Sequence, residues 1–365
     1  MTEREALIAF NLVPDVGSVK ADRLAAECGG SYVEAWERYP NKVDWQGHFP
    51  EWEKELERAA RQKVRIVTRL DEEYPVRLKD LSSPPLALYV VGSVSALSRQ
   101  SLSLIGTRAC TRYGIDTAMR FATALSRSGW VVVSGLAMGI DAAAHQGAIL
   151  GGGVTVGVLG GALDQFFPRE NRPLAREMLE RGGSVISEFP FGRKPDRTSF
   201  PQRNRIVAAL SMGVIAVETS THGGTLITTS LALDLHRNVM AVPGRVDSSA
   251  SAGCNKLIRD GARLVATVDD VLEELNPLFK RNAIRPGVAS AVGGKSGDVE
   301  KLVPPEVKLT LEEALVLRNV VEDHTAIDSV VRACGLPVAK VNSLLVSLRL
   351  KRKVKFLPGN RVSPI

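Results

Sequence analysis

Cysteine is scarce in this chain and poorly placed for chemistry. Cys28, Cys110, Cys254 and Cys334 lie far apart with no CxxC spacing, which argues against zinc sites and a disulfide framework and fits a reducing cytoplasm. Long apolar runs are missing as well. No stretch approaches the ~18 apolar residues of a membrane span, and the opening MTEREALIAFNLVPDVG lacks a basic segment followed by a long apolar region. The chain is therefore expected to be neither exported nor membrane-embedded. Acidic charge is in deficit: 47 Lys and Arg stand against 40 Asp and Glu, with a pI of about 9.3. That balance suits a polyanionic partner, although many plain soluble proteins share it.

What is present is length and alternation. At 365 residues the chain exceeds the roughly 100–200 typical of one domain, so two or three domains are expected. Residues 1–68 read as short helices. Within them LVPDVGSVKADRLAAECGG resembles half of a helix-hairpin-helix element, whose Gly17 turn is either a phosphate contact or a tight interhelical turn. Residues 69–275 alternate apolar strands (LALYVV, LSLIG, WVVVS, VTVGVL, SVIS, GVIAVE, NVMAV) with amphipathic helices. Uninterrupted Val/Ile runs bounded by Gly indicate a parallel sheet covered on both faces, a Rossmann-like α/β domain. Residues 276–305, rich in Pro, Gly, Ser and Lys, have the composition of a linker. Residues 306–365 predict three helices and a hairpin turning at Pro358-Gly359-Asn360, the pattern of a winged helix.

In an open parallel sheet the ligand crevice lies beyond the carboxyl ends of the strands, and here those loops carry Gly, hydroxyls and Arg. After LSLI come Gly106-Thr107-Arg108 and then Arg112, opening a helix. The glycine admits a phosphate, the helix start supplies N–H donors, and Arg108 can fork onto two oxygens. The spacing is not GxGxxG and no acid follows at ~20 positions, so no dinucleotide cofactor is expected. After WVVVS, the residues Ser134, Gly135 and Gly139 form a second loop, with Ser134 lacking the GxSxG frame of a hydrolase. Asp141 and His145 share a helical face, but without a third ligand a structural role is expected and no metal. Gly223-Gly224-Thr225 opens another helix and a second anion cradle. The loop FPFGRKPDRTSFPQRN interleaves Arg193, Lys194, Arg197, Arg203 and Arg205 with Phe189, Phe191 and Phe200. Such mixing suits single-stranded nucleic acid, bases stacking on rings while cations follow phosphates. The alternative is that Phe200 and Pro201 anchor the loop and the arginines cap strands.

The strings IGTRACTRYG, VVSGLAMGIDAAAHQGAI, GVLGGALDQFFPREN, ISEFPFG, FPQRNRIVAALS, VETSTHGGTLITTSLAL and VPGRVDSSASAGCNKLIRDGA resemble, in order, the DNA-processing protein A (DprA/Smf) family. The resemblance covers Leu81 to Leu275, and the flanks are similar to the helical N-terminal and winged-helix C-terminal domains of longer members. It implies a cytoplasmic, non-enzymatic binder of single-stranded DNA. Such a protein works without a cofactor as a homodimer, protects incoming DNA in natural transformation and helps load the RecA recombinase. The family's G-[ST]-R arginine, a principal DNA contact, falls on Arg108. Its Phe-Pro-x-Arg-Asn stretch falls on Phe200, Pro201, Arg203 and Asn204. The basic side chain that members place before that phenylalanine is matched by Arg197, with Lys194 next. Where members commonly have Ser-Gly-Ser, this chain has Gly223-Gly224-Thr225, which keeps the backbone role. Arg203 and Arg205, two apart on a helix, cannot share a face, so Arg203 is expected to meet DNA and Arg205 to fasten the loop.

Two other functions compete. Lysine-decarboxylase-like phosphoribohydrolases have a similar α/β domain with a PGGxGTxxE motif, but HGGTLITTS lacks the proline and glutamate, and Thr228 and Thr229 cannot act as acid or base. A sequence-specific regulator could use the basic LRLKRKVK of the winged helix, although no base-reading side chains are identifiable there.

Overall fold

The computed structural model describes residues 1–275, apart from Asp15 and Asn41, and 310–364, apart from 321–324, 339, 342–343, 346–347, 349–352 and 358–360. They belong to two compact units, Met1–Pro286 and Gly287–Ile365.

The first unit begins with helices α1 (Glu3–Asn11), α2 (Ser18–Glu27), α3 (Tyr32–Arg38) and α4 (Trp52–Arg61). Thr2 and Glu5 cap α1 reciprocally, and Ser31 caps α3, each supplying acceptors to N–H groups that the first turn leaves open. Leu7, Phe10, Val16, Ala21 and Trp36 form the small core of this module, with Phe10 and Trp36 edge to face at 5.2 Å. The Gly17 turn is fixed to the α/β region by the Ser18 hydroxyl, 2.9 Å from that of Ser83.

A nine-stranded sheet follows, ordered β1-β2-β6-β5-β4-β3-β7-β8-β9. Its strands are β1 (Arg65–Thr68), β2 (Ala87–Gly92), β3 (Ser101–Ile105), β4 (Val131–Ser134), β5 (Thr155–Val158), β6 (Ser184–Ser187), β7 (Gly213–Ala216), β8 (Asn238–Ala241) and β9 (Arg263–Leu264). The run β6 to β9 is parallel as expected. Two differences appear at the other side. LALYVV becomes β2, antiparallel to β6, because the short connector 93–100 holds only a 3-10 turn and no crossover helix to restore direction. Residues 65–68, assigned above to the helical module, form β1 against β2. Ile8 and Ala59 from the helices share a core with Ile66 and Tyr89, so helices and sheet are one packed body at the expected 68/69 boundary.

Strand alternation divides the core. Leu102, Leu104 and Val132 point to one face, covered by α5 (Arg112–Arg127) and α6 (Ile140–Leu150) through Phe121, Leu125, Ala144 and Ala148. Ile105, Val131 and Val133 point to the other, covered by α8 (Ser199–Leu210) and α9 (Gly224–Asp234) through Ile206, Val207, Leu210 and Ala232. This double burial is why the strands read as continuous apolar runs. The helices α7 (Arg172–Glu180), α10 (Ala252–Arg259) and α11 (Val268–Leu275) complete the layers. From β3 the chain builds β4, β5 and β6 to one side and then β7 on the other, so the strand order reverses between β3 and β7, where a crevice opens.

The second unit contains α12 (Leu311–Arg318), α13 (Ile327–Cys334) and a three-stranded sheet of β10 (Thr325–Ala326), β12 (Arg361–Pro364) and β11 (Val354–Leu357) in that order. Val316, Ile327, Val330, Leu345 and Val354 form its core. The predicted linker, the Pro358-Gly359-Asn360 turn and Arg349–Arg352 lie outside the described residues. No helix among the described residues is long and apolar enough to cross a membrane.

Candidate nucleic-acid interface

The loops after β3, β4 and β7 meet the start of α8 around a crevice of 420 Å³. Ten of the sequence-predicted residues line it: Gly106, Thr107, Arg108, Gly135, Phe200, Arg203, Asn204, Gly223, Gly224 and Thr225.

The loop carrying Arg108 is held from across the switch point. Thr107 donates its N–H to the Glu218 carbonyl at 2.8 Å. The buried Glu218 carboxylate accepts the Thr111 N–H at 2.8 Å and its hydroxyl at 2.6 Å. Gly139, at φ +83°, passes so close to this loop that a Cβ would sit 2.6 Å from the Thr107 carbonyl. Only glycine satisfies both the torsion and the approach. Arg108 is left exposed, with its guanidinium 4.9 Å above the Phe200 ring. Phe167, 49% exposed, lies 6.2 Å beyond Phe200. A cation and two aromatic rings therefore stand together at one mouth of the crevice. At the other, α9 begins at Gly224 with no side chain capping it, so its first N–H groups remain for an anion.

Neither arginine of the FPQRNR stretch is free. Arg203 is 5% exposed and donates from Nη1 to the carbonyls of Gly135 and Val158, while its Nε reaches Asn204 Oδ1 at 3.2 Å. Burial brings its pKa down to about 10, partly opposed by nearby Asp141. Asp141 accepts the Gly135 N–H at 3.1 Å, and burial pushes its carboxyl up despite the attraction of Arg203. Arg205 pairs with Glu188 and donates to the Ser83 carbonyl. Arg205 fastens the loop to the fold as expected, whereas Arg203, expected to meet DNA, lines the crevice with its guanidinium bound to protein as well. The reason is that α8 is covered on two sides, by the sheet and by the segment leading to β2.

Other expected contacts also move. Ser134 is a strand residue, fully buried, and donates to the Leu104 carbonyl at 2.6 Å rather than standing in a loop. Arg112 pairs with Asp116 one turn along α5 at 3.0 Å and is not among the lining residues. Gly139 braces the loop without lining the crevice. Lys194 and Arg197 are exposed on the adjoining loop. His145 is buried, its Nδ1 2.7 Å from Thr155 Oγ1, and burial lowers its pKa to about 3; it shares no ligand with Asp141. No cluster able to hold a metal occurs among the described residues.

Three residues were missed in the sequence. Glu218 followed an apolar strand and carried no motif of its own. Asn171 sits in the quoted PREN string, and its amide donates to the carbonyls of Leu136 at 2.8 Å and Ala137 at 3.0 Å, pinning the loop after β4. Phe167, in the same string, was legible as an aromatic beside a basic segment.

Comparison with known proteins gives concordant results. "DNA processing protein DprA" of Bacillus subtilis is 37% identical over 235 residues, covering 64% of this chain and 79% of that protein. "Protein Smf" of Escherichia coli is 35% identical over 291 residues, covering 80% and 75%. The X-ray structure of DNA processing protein A from Streptococcus pneumoniae superposes with a TM-score of 0.62 at 30% identity, over 76% of this chain and 99% of that one. The protein of the same name from Helicobacter pylori, whose structure concerns its single-stranded DNA binding mode, gives 0.53 at 29% identity, over 60% and 97%. The DprA winged-helix profile matches residues 300–360. With the profile of DNA recombination-mediator protein A matching residues 65–276, the chain belongs to the DprA/Smf family of DNA-processing proteins.

Proposed function

We propose that the crevice between β3 and β7 binds single-stranded DNA without chemical turnover. The observation that carries this is the exposed Arg108 guanidinium stacked at 4.9 Å on Phe200, between a glycine loop and an uncapped helix start. Rings with cations over them take bases of any sequence, while uncapped N–H groups and arginine take phosphates. The H. pylori relative, studied for its single-stranded DNA binding mode, supports the same assignment. Among the lining residues Asp141 is the only carboxylate, and it is buried against the Gly135 N–H. Ser230 stands where the phosphoribohydrolase motif has its glutamate, and the hydroxyls of the neighbouring Thr228 and Thr229 donate to helix carbonyls. These features support binding without hydrolysis.

In this reading the protein protects single strands in the cytoplasm and helps load the RecA recombinase during transformation or recombination, as its membership of a recombination-mediator family supports. A homodimer belongs to the same proposal: β9 ends the sheet with both residues exposed, and an open strand edge is a template for pairing. The test is binding of fluorescent oligothymidylate, single-stranded against duplex, across a salt series for wild type and Arg108→Ala. Tight, strand-selective binding should collapse in the variant, and its salt slope should fall by about 0.7, the contribution of one single-strand phosphate contact. Unchanged binding by the variant would remove the crevice from the function. Release of base or ribose phosphate from a nucleoside monophosphate would revive the hydrolase.

A further inference from the structure

A second crevice, of 310 Å³, separates the N-terminal helices from the α/β region. Phe189 and Pro190 contribute flat apolar walls, Gln202 of α8 lines it, and Trp45 stands at its edge. Trp45 is 39% exposed and lies outside the core of its module. The turn that carries it is nevertheless well made. Asp44 Oδ1 accepts the N–H groups of Gln46 and His48 at 2.8 Å each, and the Asp44 N–H meets the His48 carbonyl at 2.7 Å. The Arg193 guanidinium lies 4.3 Å over the indole. A rigid turn thus displays an aromatic ring under a cation, as at Phe200.

The two crevices flank the start of α8. Pro201 lines the first and Gln202 the second, and the loop 189–198 leads from Phe189 and Pro190 of the second crevice to the helix start that carries Phe200 of the first. The charged groups facing this path are two neutralised pairs, Arg205 with Glu188 and Arg193 with Asp196, and the exposed Lys194 and Arg197, which make no ion pair among the described residues. The path is therefore net cationic, with an aromatic at each end.

We propose that a single strand leaving the Arg108–Phe200 crevice follows the 189–198 loop into this second crevice, where Trp45 stacks one of its bases. The proposal rests on the assignment of the first crevice to single-stranded DNA and adds a subsite supplied by the N-terminal helices. The test compares oligothymidylates of about 4 and about 16 nucleotides, the span of single-strand site sizes, on the full chain. Trp45→Ala should bind the longer oligomer about tenfold more weakly, the effect of one lost base stack, and the shorter one as wild type does. Trp45→Phe should keep the affinity but lose most of the quenching of tryptophan emission that the longer oligomer causes. If Trp45→Ala binds both lengths like wild type while Arg108→Ala fails, the subsite is overturned and the first crevice stands. An equal loss at both lengths would also overturn it, and no binding by wild type would overturn both assignments.

Discussion

Replacing Arg203 with alanine separates a wall residue from a DNA contact. Its Nη1 bonds the carbonyls of Gly135 and Val158, at the ends of β4 and β5. The variant leaves two buried acceptors without a donor and Asp141 without the positive charge that offsets its burial. Charge-assisted hydrogen bonds are worth about 1.5–3 kcal/mol each, and an uncompensated buried charge costs about 3–5 kcal/mol. Because these effects overlap, a loss of about 3–5 kcal/mol is expected for the whole. Urea denaturation measures it directly. The second measurement is the salt dependence of oligothymidylate binding at a temperature where the variant remains folded. A wall residue should weaken binding while leaving the slope of log K against log salt unchanged, whereas a phosphate contact would lower that slope by about 0.7. A variant within about 0.5 kcal/mol of wild-type stability, with a reduced slope, would refute the structural role of Arg203 argued here.

Three further outcomes follow from the same geometry. Gly139→Ala, at φ +83° and against the Thr107 carbonyl, should cost at least about 1–3 kcal/mol in denaturant and weaken oligonucleotide binding by displacing the Arg108 loop. Glu218→Ala removes both acceptors of Thr111. It should accelerate hydrogen exchange of the Thr111 amide and destabilise by about 1–3 kcal/mol. His145 sets an acid limit. Its pKa near 3 in the fold lies below the unfolded value of about 6.5, so between these the unfolded chain binds the extra proton and stability falls as pH falls. At about pH 4.5 the loss should reach roughly 2–3 kcal/mol. Denaturation curves of His145→Gln should be correspondingly flatter over that window.

The parallel core and the glycine loops were legible because their causes are local. A strand covered on both faces is apolar along most of its length, as LSLI, WVVVS and GVIAVE are, with the buried Ser103 and Ser134 hydroxyls satisfied by backbone carbonyls. A loop that admits phosphate must carry Gly, and Gly106, Gly223 and Gly224 do. The direction of β2 was not legible, since an apolar strand reads alike in either sense and only the short 93–100 connector distinguishes them. The two exposed residues of β9 carry no strand pattern. The helical spacing of Arg203 and Arg205 showed that they diverge, but spacing cannot reveal that α8 has protein on two sides. Arg112 stands outside the crevice lining for a nearer reason: the helix begins at Arg112 itself, and Asp116 lies at the i+4 position that captures it.

Two of the missed residues, Glu218 and Asn171, share one property. Each acts through a side-chain bond to distant backbone: Glu218 to Thr111 across 107 positions, and Asn171 to Leu136 across 35. Arg203, assigned to DNA from its motif, reaches Gly135 across 68. These bonds hold three glycine-bearing loops that have little internal structure of their own, and a glycine loop loses more conformational entropy on ordering than any other. Without such anchors, ordering the loops would be charged against DNA binding each time a strand arrived. On the proposed reading, the buried Arg203, Asp141, Asn171 and Glu218 therefore meet that cost during folding, which leaves exposed Arg108 and half-buried Phe200 in place before nucleic acid arrives. The division also explains the distribution of signal along the sequence. Contact residues announce themselves by chemistry suited to phosphate and base, whereas residues that preorganise them depend on which loops the sheet order brings together at the β3/β7 switch.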